Sequence, residues 1–164
     1  MKKYLLLLPV LALLFVACGP VATTDTAIEY NDEMIAIQSD VDQALVDVLD
    51  AIDTYDEDEM FDAQIDAIDA CDEGRKTVEG MDDFDGSDDF KKEMIKLIDM
   101  YQGIIEDEID DIIYYTIYSD DLTDDDWDEY YELYDVALDK YDVTFGEFQD
   151  FQKEFAEEWD FELE

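Results

Sequence analysis

From Trp127 to Trp159 the chain sets an apolar or aromatic residue at alternating steps of four and three: Trp127, Tyr131, Tyr134, Leu138, Tyr141, Phe145, Phe148, Gln152, Phe155 and Trp159. A rhythm held for more than four heptads lays one apolar stripe along a helix, because side chains recur every 3.6 residues there and every two in a strand. Thr123 followed by Asp126 predicts the N-terminal cap of this helix, with Asp124 and Asp125 favourable against the helix dipole. No proline interrupts it.

The same spacing occurs three more times. Val41, Leu45, Val48, Ile52 and Tyr55 form a stripe that Met34 and Gln38 extend backwards, predicting a first helix from Thr26 to about Tyr55. Phe61, Ile65, Ile68, Cys71 and Val78 predict a second helix, interrupted by Gly74 and Gly80. Phe90, Met94, Leu97, Tyr101, Ile104, Ile105, Ile112 and Tyr115 predict a third, capped by Ser87 after an Asp85-Gly86 turn. Connections fall near Asp56 to Glu59, Asp82 to Gly86 and Ser119 to Asp124; the first lacks Gly and Pro and reads either as a turn or as a kink. Both prolines lie at or before residue 20, no segment alternates as a strand does, and no linker divides the chain. The expectation is an all-α fold: a single antiparallel up-down four-helix bundle with long helices over 26–164.

Composition tests this pattern against disorder and excludes whole classes of partner. The chain carries 50 Asp and Glu against nine Lys and Arg, yet 48% of it is hydrophobic, which does not fit a disordered chain. The acidity argues against nucleic acid, whose phosphates require Lys and Arg, and against electrostatic docking on anionic lipid. Asp outnumbers Glu by 33 to 17, a bias similar to that of proteins from saline habitats. The acidity reads as a solvated coat, at the cost of self-repulsion in the compact state.

At the N-terminus, Lys2 and Lys3 precede an apolar run from Tyr4 to Phe15 that ends in Val16-Ala17-Cys18-Gly19. A basic start, a short apolar stretch and small residues match an export signal, and Tyr4 to Phe15 is too short to span a bilayer. The placement of Cys18 resembles the lipobox of bacterial lipoproteins, with Phe15 where Leu is usual. The resemblance implies a signal peptide at 1–17, acylation of Cys18, a short tether at 18–25 and a membrane anchor made of acyl chains rather than a spanning helix. Cleavage after Gly19 and an uncleaved anchor from Tyr4 to Ala22 are the alternatives. Loss of residues 1–17 leaves 50 carboxylates against seven basic side chains, a formal charge of −43.

Further along, Tyr30-Asn31-Asp32 followed by Ile35 and Gln38, the segment Phe90 to Tyr101, and the ending Phe148…Gln152…Phe155-Ala156…Phe161 resemble a family of uncharacterised bacterial surface lipoproteins with exported helical domains. The resemblance covers nearly the whole mature chain and implies a helical exported lipoprotein, with no activity attached. This chain departs from it in bearing acidic residues at many surface positions where such proteins carry Lys.

Few side chains are available for chemistry. Without any histidine, imidazole base catalysis, the usual zinc sites and the Glu-x-x-His pairs of di-iron bundles are absent. Cys71 lies on an apolar stripe and reads as a buried structural thiol. Paired carboxylates carry no discrimination among 50, and no enzyme is expected. Calcium is the alternative: in Asp82-Asp83-Phe84-Asp85-Gly86-Ser87-Asp88-Asp89, alignment of Gly86 with the EF-hand glycine places Asp83 and Asp85 at ligand positions. Met81 then falls on the first ligand position and Lys92 on the bidentate one, so the motif fails. Asp83, Asp85, Asp88 and Asp89 within Asp82 to Asp89, and the stretch Asp120 to Asp128, remain as candidates for diffuse cation binding.

Two further features concern partners. Gln38 and Gln152 occupy stripe positions on the first and last helices and read as register residues, near one another in an antiparallel bundle. Tyr114, Tyr115, Tyr118, Tyr130 and Tyr131 gather around the third connection, where an acidic and aromatic surface suits a cationic protein or cell-envelope partner. The expected function is therefore a membrane-anchored structural or interaction module at a bacterial outer membrane or cell surface. A calcium-binding or calcium-stabilised module is the alternative.

Overall fold

Thr23 and Thr123 open the first and last helices in the same way. Each hydroxyl accepts from the backbone N–H three residues on, at 3.3 Å in both, while the side chain of that residue, Thr26 or Asp126, accepts the backbone N–H of the capping threonine. This satisfies two of the donors that a helix start leaves unpaired. The Thr123 hydroxyl and N–H hold the Asp126 carboxyl below the ordinary carboxylate range. The computed structural model describes residues 21–163, which are helical apart from short connections and the two ends. The elements are α1 (Thr24–Ile52), α2 (Glu57–Gly80), α3 (Asp89–Ile104), a π-helical turn (Ile105–Ile109), α4 (Asp110–Ile117), a single 3-10 turn (Ser119–Asp121) and α5 (Asp124–Glu158). The signal peptide expected at 1–17, Cys18 and residue 164 lie outside the described residues.

The first connection is a turn, not a kink. Tyr55 takes φ +58, the left-handed conformation usual for glycine after a helix, and Asp56 then caps α2 by accepting from Glu59 N–H at 3.2 Å. The second connection reverses through Asp85 (φ +49) and Gly86 (φ +79), with Ser87 N–H donating to Phe84 O at 2.9 Å. Ser87 serves the third helix from one position earlier than a cap: the helix begins after Asp88, and Ser87 Oγ accepts from Asp89 N–H at 3.2 Å.

α3 is the hub. Met94, Leu97, Ile98, Tyr101, Ile105, Ile112 and Ile113 are all fully buried, and contacts from the α3 to α4 rod run to α1, α2 and α5. α1 and α2 pack most extensively on each other, and α3 packs on α5, whereas α1 and α5 barely meet.

The second helix turns a different face inward from the one its aromatic and Ile residues predict. Met60, Gln64, Ala67, Cys71 and Val78 are buried, while Phe61 is exposed and Ile65 is 57% exposed. The two stripes differ by one residue and merge at Cys71, and the close approach of α1 selects between them. A Cβ on Gly74 would lie 3.1 Å from Val41 Cγ2 and 3.3 Å from Ile37 Cγ2, so Gly74 admits α1 instead of interrupting α2, which runs unbroken to Gly80.

α5 corrects a second expectation. Only Phe148, Gln152, Phe155 and Ala156 are fully buried in it; Tyr131 is exposed and Leu138 is 58% exposed. With little of α1 against it, the first half of the helix rests mainly on the α3 to α4 rod, through partly buried Tyr130, Leu133, Tyr134, Ala137 and Tyr141, while α1 reaches it at Tyr141 through Asp42.

Candidate functional site

Among the described residues, buried polar side-chain atoms all have hydrogen-bond partners. Gln152 Nε2 donates to Asn31 Oδ1 at 3.2 Å, so the partner of Gln152 is Asn31 rather than Gln38, which is only half-buried. The hydroxyl of fully buried Tyr101 donates to Asp42 Oδ1 at 2.9 Å, beside the Tyr141 ring at 5.9 Å. Burial, then the Asp42 charge, raises the Tyr101 hydroxyl far above the ordinary tyrosine range. The Cys71 thiol is fully buried and pushed up to about 11, chiefly by that burial, which makes it unreactive as a nucleophile.

The π-helical turn is the one irregularity within the third rod, and two side chains meet it. Gln64 Nε2 donates to Ile105 O at 3.1 Å and to Asp110 Oδ1 at 3.2 Å. Glu108, buried within the turn, accepts from Lys140 Nζ of α5 at 2.6 Å and 2.7 Å through its two oxygens. Neither Gln64 nor Glu108 is legible as a partner from the sequence, because the π-turn that places their bonds shifts the helical register by one residue.

The Asp82 to Asp89 segment is occupied by its own lysines. Lys91 Nζ donates to Met81 O at 2.7 Å and pairs with Asp83 at 3.2 Å; Lys92 pairs with Asp88 at 2.6 Å and reaches Asp89 at 3.6 Å. Asp89 also accepts from Ser87 Oγ at 2.8 Å, and Asp85 occupies the left-handed turn. Among the described residues, no three His, Cys, Asp or Glu side chains are arranged to hold a metal ion.

At the third connection the tyrosines do come together. Tyr114 and Tyr118 lie 4.9 Å apart between ring centroids, Tyr115 contacts Tyr114 and Tyr130, and Trp127 contacts Tyr130 and Tyr131. Tyr114, Tyr118 and Tyr131 are each more than half exposed, an unusual density of aromatic surface. Trp127 belongs to this surface as well, although its place on the apolar stripe marks it as a core residue. Asp53 and Tyr55 of the first connection lie close enough to Tyr134 to add to the rise of its hydroxyl pKa, which burial dominates. Glu129 beside Tyr115 pushes that hydroxyl up to about 12.

The charge around these rings has one sign. Neither residues 21–74 nor residues 97–139 contain a Lys or Arg, and those stretches include both connections at this end together with the helix ends that flank them. Exposed π-faces ringed by carboxylates attract cations by two mechanisms at once. No protein-family model, curated protein or solved structure matches the chain.

Proposed function

We propose that this protein is an exported lipoprotein, anchored through an acylated Cys18, whose helices run up and down in an antiparallel bundle and present a tyrosine-rich acidic end to cationic segments of other cell-envelope macromolecules. The observation that carries the reading is the cluster of exposed Tyr114, Tyr118 and Tyr131 in a region without a basic side chain. A lysine-rich segment would lay its ammonium groups over the rings and against the surrounding carboxylates, with electrostatic steering that salt weakens. Ring contacts support the antiparallel course: residues from the start of α1, the turn that joins α2 to α3, the start of α3 and the end of α5 share one aromatic cluster. The export signal and lipobox-like Val16-Ala17-Cys18-Gly19 support the anchor, and Gly19 lacks the Asp that often follows Cys in lipoproteins kept at an inner membrane.

The test is titration of an oligolysine peptide into the full chain in a non-ionic maltoside detergent, followed calorimetrically at two salt concentrations. The expected result is salt-sensitive binding that the Tyr114→Ser, Tyr118→Ser, Tyr131→Ser triple variant weakens about tenfold, corresponding to about 1.4 kcal/mol. Equal binding by that variant would place recognition in the diffuse acidity and remove the tyrosines from it. Labelled palmitate offered to cells should enter the parent and not Cys18→Ser; label in both would sink the anchor.

A further inference from the structure

The opposite end of the molecule holds a crevice with a different chemistry. It encloses about 150 Å³ between the Phe84 turn, the start of α3 and the end of α5. Its walls are aromatic: Phe84 and Trp159 meet edge to face at 5.0 Å between centroids, and Phe90 meets Phe151 at 5.2 Å. Backbone in the left-handed region stands beside both outer rings, at Asp85 (φ +49) after Phe84 and at Asp160 (φ +58) after Trp159. Phe84 and Trp159 are both half-buried where these two reversals meet the crevice lining.

The rim is anionic. Asp85, Asp89 and Glu158 line the crevice together with Ser87; Asp89 is engaged by Lys92 at 3.6 Å and by Ser87 Oγ at 2.8 Å, whereas Asp85 and Glu158 have no basic partner among the described residues. Among the described residues no three carboxylates converge as a bare metal ion requires, and the rest of the wall is aromatic. An ammonium group carrying methyl groups matches both features, because its apolar surface is desolvated against the rings, its charge meets their π-faces, and the carboxylates balance what remains.

We propose that this crevice binds a small organic cation bearing a methylated ammonium group, such as choline. The strong net negative charge of the chain disfavours the same headgroup when a phosphate accompanies it, so the occupant is a free cation and not a phosphocholine lipid. This inference stands apart from the tyrosine-rich end and does not depend on it.

The experiment follows Trp159 emission in full-chain Trp127→Phe, where Trp159 is the sole tryptophan, in non-ionic maltoside detergent. Tetramethylammonium chloride, choline chloride and phosphocholine are titrated against sodium chloride of equal ionic strength. Expected are a saturable change with tetramethylammonium and choline, no such change with sodium, and weaker binding of phosphocholine. Phe84→Leu should weaken choline binding about tenfold. Asp85→Asn with Glu158→Gln should do the same while leaving the core untouched, and Asn is at ease in the left-handed turn. A response identical to sodium, whether from an unsuited crevice or one filled by another part of the chain, overturns the proposal. So does phosphocholine binding as tight as choline, or undiminished binding by the Asp85→Asn, Glu158→Gln variant.

Discussion

Gln64 Nε2 stands 3.1 Å from the carbonyl oxygen of Ile105, the first residue of the π-helical turn, and 3.2 Å from Asp110 Oδ1 just beyond it. One amide from α2 therefore spans the turn and ties both its ends to a neighbouring helix. A π-turn disturbs the regular ladder of backbone bonds, and a buried carbonyl beside it requires a donor. Gln64 supplies that donor from a position where an apolar residue would otherwise complete the stripe.

Gln64→Leu should therefore cost about 1–3 kcal/mol, since it leaves the Ile105 carbonyl unsatisfied in the core although Leu fills the space. Urea unfolding followed by circular dichroism measures it. A Leu variant as stable as the parent would mean that the π-turn satisfies itself.

Glu108 and Lys140 should be energetically coupled. The Glu108 side chain is 10% exposed and depends on Lys140 for its charge balance, whereas Lys140 is 41% exposed and partly screened. Lys140→Met is expected to cost about 1–2 kcal/mol, and Glu108→Gln in the same chain to recover part of it, with a coupling energy of about 0.5–1.5 kcal/mol. Strict additivity in the double-mutant cycle would show the pair to be incidental.

Two glycine replacements should have opposite signs. Gly146→Ala, with open space around the added methyl, should stabilise α5 by about 0.5–1 kcal/mol. Gly74→Ala makes the same propensity gain but drives its methyl to 3.1 Å from Val41 Cγ2, a buried β-branched side chain with little freedom to yield. A net loss of about 1–2 kcal/mol follows. Thermal unfolding of the two variants decides it, and equal stabilisation would place α1 further from α2 than the structure does.

Alkaline pH should unfold the protein through its tyrosines. Tyr30 is pushed up to about 12 by burial and by Asp83, Glu33 and Asp82, and Tyr101 lies higher still. A phenol whose folded pKa exceeds its unfolded value of about 10 gives up its proton more readily once unfolded. Stability is thus unaffected by these groups below about pH 10 and falls as pH rises towards their folded values. Tyrosinate absorbance should rise in two stages, exposed rings first and buried rings together with loss of helix. A single stage with helix intact would contradict the burial of Tyr101.

Sodium chloride should stabilise the fold by screening carboxylate repulsion, and calcium at equal ionic strength should do no more. Three of the four turn carboxylates that a calcium site would draw on, Asp83, Asp88 and Asp89, are already engaged by Lys91 and Lys92. Melting curves in the two salts at matched ionic strength make the comparison. A saturable rise specific to calcium would return the Asp82 to Asp89 segment to the role of a cation site.

Helical class, the Thr123 cap, the second and third connections and the aromatic gathering around Tyr114 to Tyr131 were all legible in the sequence, because they depend on local periodicity, local hydrogen bonds and short separation along the chain. The first connection lies at 53–56, ahead of its expected place, and Glu57 to Glu59 already belong to α2. What touches what was not legible. Phe61 and Ile65 fit a helical stripe as well as Met60 and Gln64 do, since residues i and i+1 lie only about 100° apart on a helix and an apolar arc is about that wide. The approach of α1 onto Gly74 and of the π-turn onto Gln64 chooses between them. The same holds for the pairing of Gln152 with Asn31, the π-turn bridged by Gln64, the half-covered start of α5 and the crevice beneath Phe84. Each is set by neighbouring helices brought together across the chain, and no periodicity encodes the distance between two rods that tertiary packing alone determines.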